Sequence, residues 1–326
     1  MALDGCGVGL LYCRCCWFAK KILNLLDCND LRDMLKIRYQ LSNICAAVVN
    51  CIGYRRSVID INLSRSFPEL KYGEIKKIRK EYYRYMFDLI FEALWAIFAS
   101  QEKICSRVTM ENPELLDELS AKYKKIILVM GHLGNWELSG ALTGDGKHIR
   151  ENDFSLNNIY LTYKAPRSKN SDRFFKWMRM HAFKKSRNKG GVIESKSIIR
   201  HMLKDRESAG NYIFIADQSP GDERVVTKFL NQPTMFFTGP EYIARKLKLP
   251  FVYLGMDRVD RGEYRISFKL ISQDHSQLEQ GYLTRAFAQN LQEDINKNKV
   301  NWLWSHKRWK KELTTDEQKL YNELYG

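Results

Sequence analysis

From about residue 124 onward, the sequence alternates between short apolar runs typical of strands and amphipathic runs typical of helices. We expect strands over residues 125–130, 158–163, 211–216, 250–255 and 264–270. We expect helices over residues 137–143, 172–185, 195–204, 239–246 and 282–297. Alternation of this kind predicts an α/β domain whose central sheet is largely parallel or mixed and is flanked by helices.

The preceding part of the chain, up to about residue 120, is predicted to be mostly helical. Residues 73–100 form one long helix with a charged first half and an apolar second half. In the apolar half, one face carries residues at helical spacing, and this face is more often core than a contact with lipid or an acyl chain: Met86, Ile90, Ala93, Leu94 and Ile97.

The first 56 residues are predicted to be a membrane-associating helical segment, and residues 57–326 a single α/β domain. Residues 7–26 are apolar but interrupted by basic side chains, and residues 41–54 are bounded by them. No stretch reaches about 18 uninterrupted apolar residues, so these segments resemble interfacial helices more than membrane spans. Because the first residues carry Asp4 and no basic region, we expect no cleavable signal peptide.

The chain is strongly basic, with 53 Lys and Arg against 38 Asp and Glu and a net charge of +15. Such a charge favours an acidic partner: nucleic acid, an anionic membrane surface, or an acidic carrier protein with phosphorylated substrates. A generally basic surface without a specific partner is the alternative. Zinc-finger spacings and aromatic ribonucleoprotein motifs are absent from the sequence, so nucleic acid is the weakest of the three candidates and is not expected.

Seven of the eight cysteines fall within the first 51 residues. They do not form the two separate Cys-x2-Cys units that structural zinc sites use, so no metal site is expected. A chain of 326 residues does not need disulfides for stability, and reduced thiols on a cytosol-facing protein are the simpler interpretation.

The first candidate site lies where the strand over residues 125–130 ends. His132 follows the strand, and Glu137 comes five residues later. Five residues span about 140° around a helix, so the two side chains meet only if His132 lies in the loop and Glu137 in the first helical turn. There a carboxylate is favoured by the helix dipole, and it orients and stabilises an imidazole that acts as a base. A chance pairing is the alternative.

Two further strand-to-helix steps carry polar residues. Asp217 and Gln218 follow the strand over residues 211–216, where a site component and a simple Asx-turn are equally good interpretations. Thr238-Gly239-Pro240-Glu241 has the pattern of a capping box with proline in the first turn. This segment starts a helix, and the exposed amides near Gly239 also provide a candidate anion site.

Near the C-terminus, three tryptophans lie among basic residues over 302–311. They serve as an aromatic anchor that closes the domain, as headgroup contacts at a membrane interface, or as stacking surfaces for bases.

The segment Gly131-His132-Leu133-Gly134-Asn135-Trp136-Glu137 closely resembles the His-x4-acidic motif of the glycerolipid acyltransferase superfamily. It is most similar to the late acyltransferases of lipid A biosynthesis, the lauroyl and myristoyl transferases. Companion motifs occur in the matching order from about residue 54 to residue 311: Tyr54-Arg55-Arg56, Asn62-Leu63, Phe67-Pro68, Asp217-Gln218, Gly239-Pro240 and the Trp-x-Trp-x-His-x-Arg-Trp ending at Trp309.

The resemblance implies a glycerolipid-acyltransferase-like fold and transfer of a fatty acyl chain from acyl carrier protein to a hydroxyl of a lipid A precursor. In that interpretation His132 deprotonates the acceptor hydroxyl and Glu137 orients His132. The residues implied in substrate binding are Asn135, Arg179, Arg187, Asp217, Gln218 and Gly239. Arg179 and Arg187 are alternative matches for one family arginine that binds phosphate or phosphopantetheine. No metal or cofactor is implied.

The resemblance also implies peripheral or monotopic attachment to the cytosolic face of the inner membrane, where an anionic glycolipid is the acceptor. Two alternatives remain at this stage. One is O-acylation of a lysophospholipid or another membrane lipid, which uses the same His-x4-acidic motif. The other is a basic membrane-surface binding protein without catalysis.

Overall fold

The structure is a computed structural model that describes residues 31–143, 158–163, 173, 190–204, 208–221 and 223–326. Its centre is a seven-stranded mixed sheet, ordered β1-β9-β8-β2-β5-β3-β4. Neighbouring strands are parallel except for the antiparallel pair β8 and β9. A separate antiparallel hairpin is formed by β6 and β7. The mixed α/β architecture predicted from the sequence is confirmed.

The strands of the main sheet are β1 (Val108–Glu111), β2 (Lys125–Met130), β3 (Ile159–Tyr163), β4 (Gly191–Glu194), β5 (Gly210–Ile215), β8 (Phe251–Asp260) and β9 (Glu263–Ser272), and those of the hairpin are β6 (Arg224–Phe229) and β7 (Gln232–Phe237). All five strands expected from apolar runs are present. Their bounds match most closely for β2, where an uninterrupted apolar run leaves no choice of register.

The helices are α1 (Leu31–Ile52), α2 (Arg56–Ser66), α3 (Tyr72–Phe98), α4 (Gln101–Cys105), α5 (Glu114–Lys122), α6 (Ile198–Lys204), α7 (Gly239–Leu247), α8 (Tyr282–Lys297) and α9 (Thr315–Tyr325). Two 3-10 helices span Trp136–Thr143 and Ser195–Ser197. Apart from Arg173, which is helical, the helix expected over residues 172–185 lies outside the described residues. The other expected helices are present. The helix expected over residues 137–143 has 3-10 geometry, and so does the start of the helix expected over residues 195–204.

Both faces of the sheet are covered. On β2, Ile127 and Val129 belong to one apolar core, while Ile126, Leu128 and Met130 belong to the other. This alternation follows from the two-residue period of a strand, and it explains why every residue of β2 is buried. The centre of the sheet therefore holds its strand ends rigidly, which is what a site at those ends requires.

The apolar half of α3 belongs to the core, which confirms the prediction that this face packs inside the protein. Ala93, Leu94 and Ile97 are buried, and Met86 and Ile90 pack against the core. Within the described ranges, no helix is long and apolar enough to cross a membrane. The division of the chain into a membrane-associating segment up to residue 56 and an α/β domain after it stays a prediction. Residues 1–30 lie outside the described residues, and α1 packs along α3 of the domain.

Candidate active site

His132 and Asp217 meet because they extend from two adjacent parallel strands in register. Met130 at the end of β2 pairs with Ile215 at the end of β5, and the amide of Ala216 donates to the carbonyl of Met130. His132 and Asp217 each lie two residues beyond that pair. Neighbouring parallel strands are about 4.8 Å apart, so side chains that continue them at the same level are within reach of each other.

The two side chains form a short, direct contact. His132 Nδ1 lies 2.5 Å from Asp217 Oδ1, and the backbone amide of His132 donates to Asp217 Oδ2 at 2.8 Å. The indole Nε1 of Trp302 donates to the same Oδ2 at 2.8 Å. Asp217 is 2% exposed and therefore depends on these three donors in place of water.

The electrostatics keep Asp217 ionised. Burial by itself would raise the pKa of this carboxyl, but the charge of protonated His132 and the hydrogen bonds from His132 and Trp302 outweigh it and hold the pKa well below its usual range. An ionised carboxylate accepts only, so Nδ1 of His132 must carry a proton that points at Asp217.

This arrangement leaves Nε2 of neutral His132 as an acceptor. Its neighbour is the side-chain amide of Gln218, 3.2 Å away, which must donate. The side chain of His132 retains 13% exposure, so a substrate atom can reach Nε2 once Gln218 is displaced. The pair thus has the geometry of a general base with its orienting carboxylate.

Two glycines allow the close packing around His132. A Cβ on Gly131 would lie 2.6 Å from a methyl carbon of Leu291 on α8 and 3.2 Å from Asp217 Oδ2. Gly134 has a φ of +59°, and a Cβ there would lie 2.6 Å from the carbonyl oxygen of Met256. The first position needs space and the second a left-handed backbone, so larger residues would displace the loop.

The carboxylate at Nδ1 of His132 belongs to Asp217, whereas the sequence hypothesis expected Glu137 to orient the imidazole. Glu137 Oε1 instead lies 3.3 Å from the indole Nε1 of Trp136, which donates to it. The Trp136 ring packs edge-on against His132, with ring centroids 4.9 Å apart. Glu137 thus contacts the ring that packs on the base, and its part as an orienting carboxylate stays a prediction.

Asn135 is buried rather than open to a substrate, with 1% exposure. Its side-chain amide donates to Glu92 Oε2 on α3 at 2.7 Å. The part expected of Asn135 in substrate binding stays a prediction.

Gly239 begins α7, as expected, with Pro240 in the first turn. The predicted capping box is wrong, because the Thr238 side chain makes no cap hydrogen bond. The Glu241 carboxylate accepts instead from the amides of Gly281 and Thr284 at the start of α8. Whether Gly239 contributes to substrate binding stays a prediction.

Arg179 and Arg187 lie outside the described residues. Among the residues that are described, no group of three or more His, Cys, Asp or Glu side chains is placed to hold a metal ion.

The C-terminal tryptophans are an internal anchor. Trp302 and Trp304 are 2% and 0% exposed, so these two rings are not available for lipid headgroups or bases. Leu133 forms an isolated bridge with Trp302, and the Gly134 amide donates to the carbonyl of Asn301 at 3.0 Å. The tryptophan segment thus packs over the loop that carries His132, and Trp302 donates a hydrogen bond to the Asp217 carboxylate.

Sequence reasoning missed the contributions of Trp302 and of two α3 side chains, Glu92 and Tyr85. The Tyr85 hydroxyl lies 2.5 Å from the carbonyl oxygen of Gly134 and 2.7 Å from that of Asn301. The chain offers no local signal for contacts this distant in sequence. The pairing of His132 with Asp217 is hidden as well, although local sequence marks each residue as a candidate.

Comparisons with known proteins identify the family of the chain. No curated protein matches the chain. The sequence profile of the bacterial lipid A biosynthesis acyltransferases matches residues 35–311, a range that contains the sheet, His132, Asp217 and the tryptophan segment. The match spans most of the chain, and the protein belongs to the bacterial lipid A biosynthesis acyltransferase family.

Proposed function

We propose that this acyltransferase moves a fatty acyl chain from the thioester of acyl carrier protein to a hydroxyl of a lipid A precursor, as a secondary acylation. The observation that carries the proposal is the His132–Asp217 pair, in which Nδ1 is fixed and Nε2 is left as the acceptor. Nε2 faces a neutral amide rather than a serine or cysteine nucleophile, so the hydroxyl that it activates belongs to the substrate.

In the proposed reaction, the acceptor hydroxyl displaces the Gln218 amide and donates to Nε2 of His132. Nε2 takes the proton as the oxygen attacks the thioester carbonyl. The tetrahedral intermediate then collapses, the carbon–sulfur bond breaks, and the imidazolium returns the proton to the departing thiolate of the carrier. Asp217 stabilises the imidazolium between the two proton transfers, and Gln218 lies within reach of the reacting oxygen.

Glu137 enters this proposal through Trp136. By accepting from the indole at 3.3 Å it holds the ring that packs against His132. If this is its role, Glu137→Gln keeps an acceptor for the indole and retains most of the activity, whereas Glu137→Ala loses more. If Glu137 is instead the orienting carboxylate of a direct dyad, both variants lose activity to a similar degree.

The acidic carrier and the anionic acceptor both suit the net charge of +15. Family membership and the His132–Asp217 pair argue against a non-catalytic binding protein. The test uses purified full-length protein with acyl carrier protein or coenzyme A thioesters as donors, and a phosphorylated lipid A precursor or a lysophospholipid as acceptors. Mass spectrometry identifies the product.

We expect acylation of the lipid A precursor from the carrier thioester, loss of at least about 1,000-fold in kcat for His132→Ala, and unchanged kcat for the control Lys269→Ala, an exposed residue on β9. Acylation of the lysophospholipid alone would contradict the proposed acceptor. Full activity of His132→Ala would contradict the proposed mechanism.

We also propose that the protein lies on the cytosolic face of the inner membrane and contacts it through α1. One face of α1 packs on the core through Ala46 and Val49. Another face exposes Ile44, Val48 and Ile52, with 60%, 51% and 74% exposure, at four-residue intervals that align them along the helix.

This apolar stripe (Ile44, Val48 and Ile52) is followed, after two intervening residues, by Arg55 and Arg56. An apolar helix face beside basic residues fits an anionic bilayer, where the apolar side chains enter the acyl boundary and the cations meet the headgroups. Each fully buried Val or Ile contributes about 1.5–3 kcal/mol. Val48→Glu should therefore weaken binding to phosphatidylglycerol-containing vesicles at least about tenfold in a sedimentation assay.

The matched control is Leu324→Glu on α9, which is 47% exposed and adds the same charge. Equal vesicle binding by the two variants would contradict a role for the stripe.

A further inference from the structure

Glu92 is a carboxylate inside the protein that joins three elements to α3. It is 2% exposed. Oε1 accepts from the hydroxyl of Tyr39 on α1 at 3.0 Å. Oε2 accepts from the amide of Asn135 at 2.7 Å and from the hydroxyl of Tyr264 on β9 at 2.6 Å. All three donors are neutral, and the described residues offer Glu92 no cation within 4 Å.

Burying a carboxylate in such surroundings lowers the stability of the folded state. Its desolvation is offset by neutral hydrogen bonds, and by the attraction of Arg258, which forms its own ion pair with Asp88. Buried ionic groups of this kind are often no more stabilising than well-packed apolar residues, so what they add is a defined geometry. Stability alone does not account for Glu92.

The geometry that Glu92 defines is that of the loop carrying His132. Asn135 follows His132 by three residues, and its carbonyl accepts from the Leu138 amide at 2.8 Å where the 3-10 helix begins. Tyr85 lies two helical turns before Glu92 on α3, and its hydroxyl contacts the Gly134 carbonyl at 2.5 Å. One face of α3 therefore holds this loop at two adjacent positions.

We propose that Glu92 is a positioning residue for acyl transfer, which fixes the loop of residues 131–137 through Asn135 and so sets the direction of His132 Nε2. The inference rests on the proposed function of His132 as the base. A displacement of about 1 Å at a reacting atom lowers rate by as much as 100-fold, so a hydrogen bond three residues from the base is close enough to control kcat.

The test exchanges the amide and the carboxylate of the Asn135–Glu92 contact, first one residue at a time and then both together. In Asn135→Asp, two carboxylates share the 2.7 Å contact, and they can do so only while they hold one proton between them. At acidic pH that proton restores the contact, and at alkaline pH its loss drives the carboxylates apart. We therefore expect kcat of Asn135→Asp to fall at least about tenfold between pH 6 and pH 9 relative to wild type, with KM changed less than about threefold.

Glu92→Gln provides a carbonyl that still accepts from Asn135, and we expect kcat within about fivefold of wild type. In the double variant Glu92→Gln/Asn135→Asp, the amide of the introduced glutamine donates to the carboxylate of the introduced aspartate, and the pH dependence disappears. Recovery by a second substitution is a coupling that general destabilisation does not produce. Tyr39→Phe is the matched control, because it removes a donor from Oε1 and leaves the Asn135 contact intact.

Circular dichroism melting shows whether each variant folds. If Asn135→Asp does not fold, Glu92→Leu replaces it: the Asn135 amide is then left unpaired, and kcat should fall at least about tenfold. An unaltered pH profile in Asn135→Asp, a double variant as impaired as Asn135→Asp, or full kcat in Glu92→Leu overturns the inference. Activity of His132→Ala, measured in parallel, reports separately on the proposed function.

Discussion

The most demanding prediction concerns Asp217→Asn. The carboxylate accepts from three N–H groups, one at Oδ1 and two at Oδ2. Asparagine has one carbonyl oxygen and one NH2 group for these two positions. If the oxygen stood at the Oδ1 position, the NH2 would face two donors, the His132 amide and the Trp302 indole. The opposite orientation conflicts with only one donor and is therefore favoured.

In the favoured orientation the NH2 of the introduced asparagine points at Nδ1 of His132. Nδ1 must then accept, and the imidazole proton moves to Nε2, which no longer serves as a base. In serine hydrolases the same reversal of tautomer lowers kcat by about 10⁴, which corresponds to about 5.5 kcal/mol. We expect a loss of about 10³–10⁴ in kcat here, with little change in KM, because nothing in the substitution alters the surface of the cleft.

The assay measures kcat at saturating donor and acceptor, and nitrogen-15 NMR of the imidazole reports the tautomer. The matched control is Asp294→Asn, which neutralises a carboxylate on α8 that accepts from the Tyr253 hydroxyl at 2.7 Å rather than from His132. This variant should keep kcat within about twofold. If Asp217→Asn kept kcat within tenfold of wild type, or if its imidazole kept the proton on Nδ1, the orienting role of Asp217 would be refuted.

Two further predictions concern the C-terminal segment. Trp302→Phe removes the indole donor to Asp217 Oδ2 but keeps an aromatic ring. Because hydrogen bonds to charged groups contribute about 1.5–3 kcal/mol, kcat should fall at least about tenfold in the same assay. Burial lowers the pKa of His306 to about 4, although the charge of Asp217 acts in the opposite direction. The unfolded chain therefore binds a proton at this histidine more readily than the folded chain does. As a result, the free energy of unfolding falls as the pH drops from about 6.5 towards 4. His306→Asn should remove about 1–2 kcal/mol of the stability difference between pH 7.5 and pH 5, measured by urea unfolding, and an unchanged difference would contradict this.

Much of the fold follows from local sequence. The apolar run over β2 and the amphipathic period of α8 give their bounds directly, since each has a single way to bury its apolar residues. The hairpin of β6 and β7 does not. Its turn places Leu230 and Asn231 at φ of 49° and 59°, where hairpins usually have Asn-Gly, so the ordinary turn signal is missing.

The candidate site was found only in part for a different reason. Local sequence identifies His132 and Asp217 as polar residues after apolar strands, and the His-x4-acidic motif indicates Glu137. Strand order is what brings Asp217 to Nδ1 of His132. β2 and β5 are adjacent in the sheet although β3 and β4 lie between them in sequence, and no local pattern encodes that adjacency. Sequence therefore yields the chemical groups, and topology decides how they pair.

The same topology suits the proposed mechanism, in which the reacting oxygen comes from the substrate. In that mechanism, precision has to come from the groups that hold His132. Three distant segments supply it: the β5 end fixes Nδ1, Trp302 fixes the carboxylate, and α3 fixes the loop through Asn135. Each contact is made by a residue that is 2% exposed or less: Asp217, Trp302 and Glu92. Because α3 also packs along α1, the helix proposed to meet the membrane and the loop of the base share one rigid support.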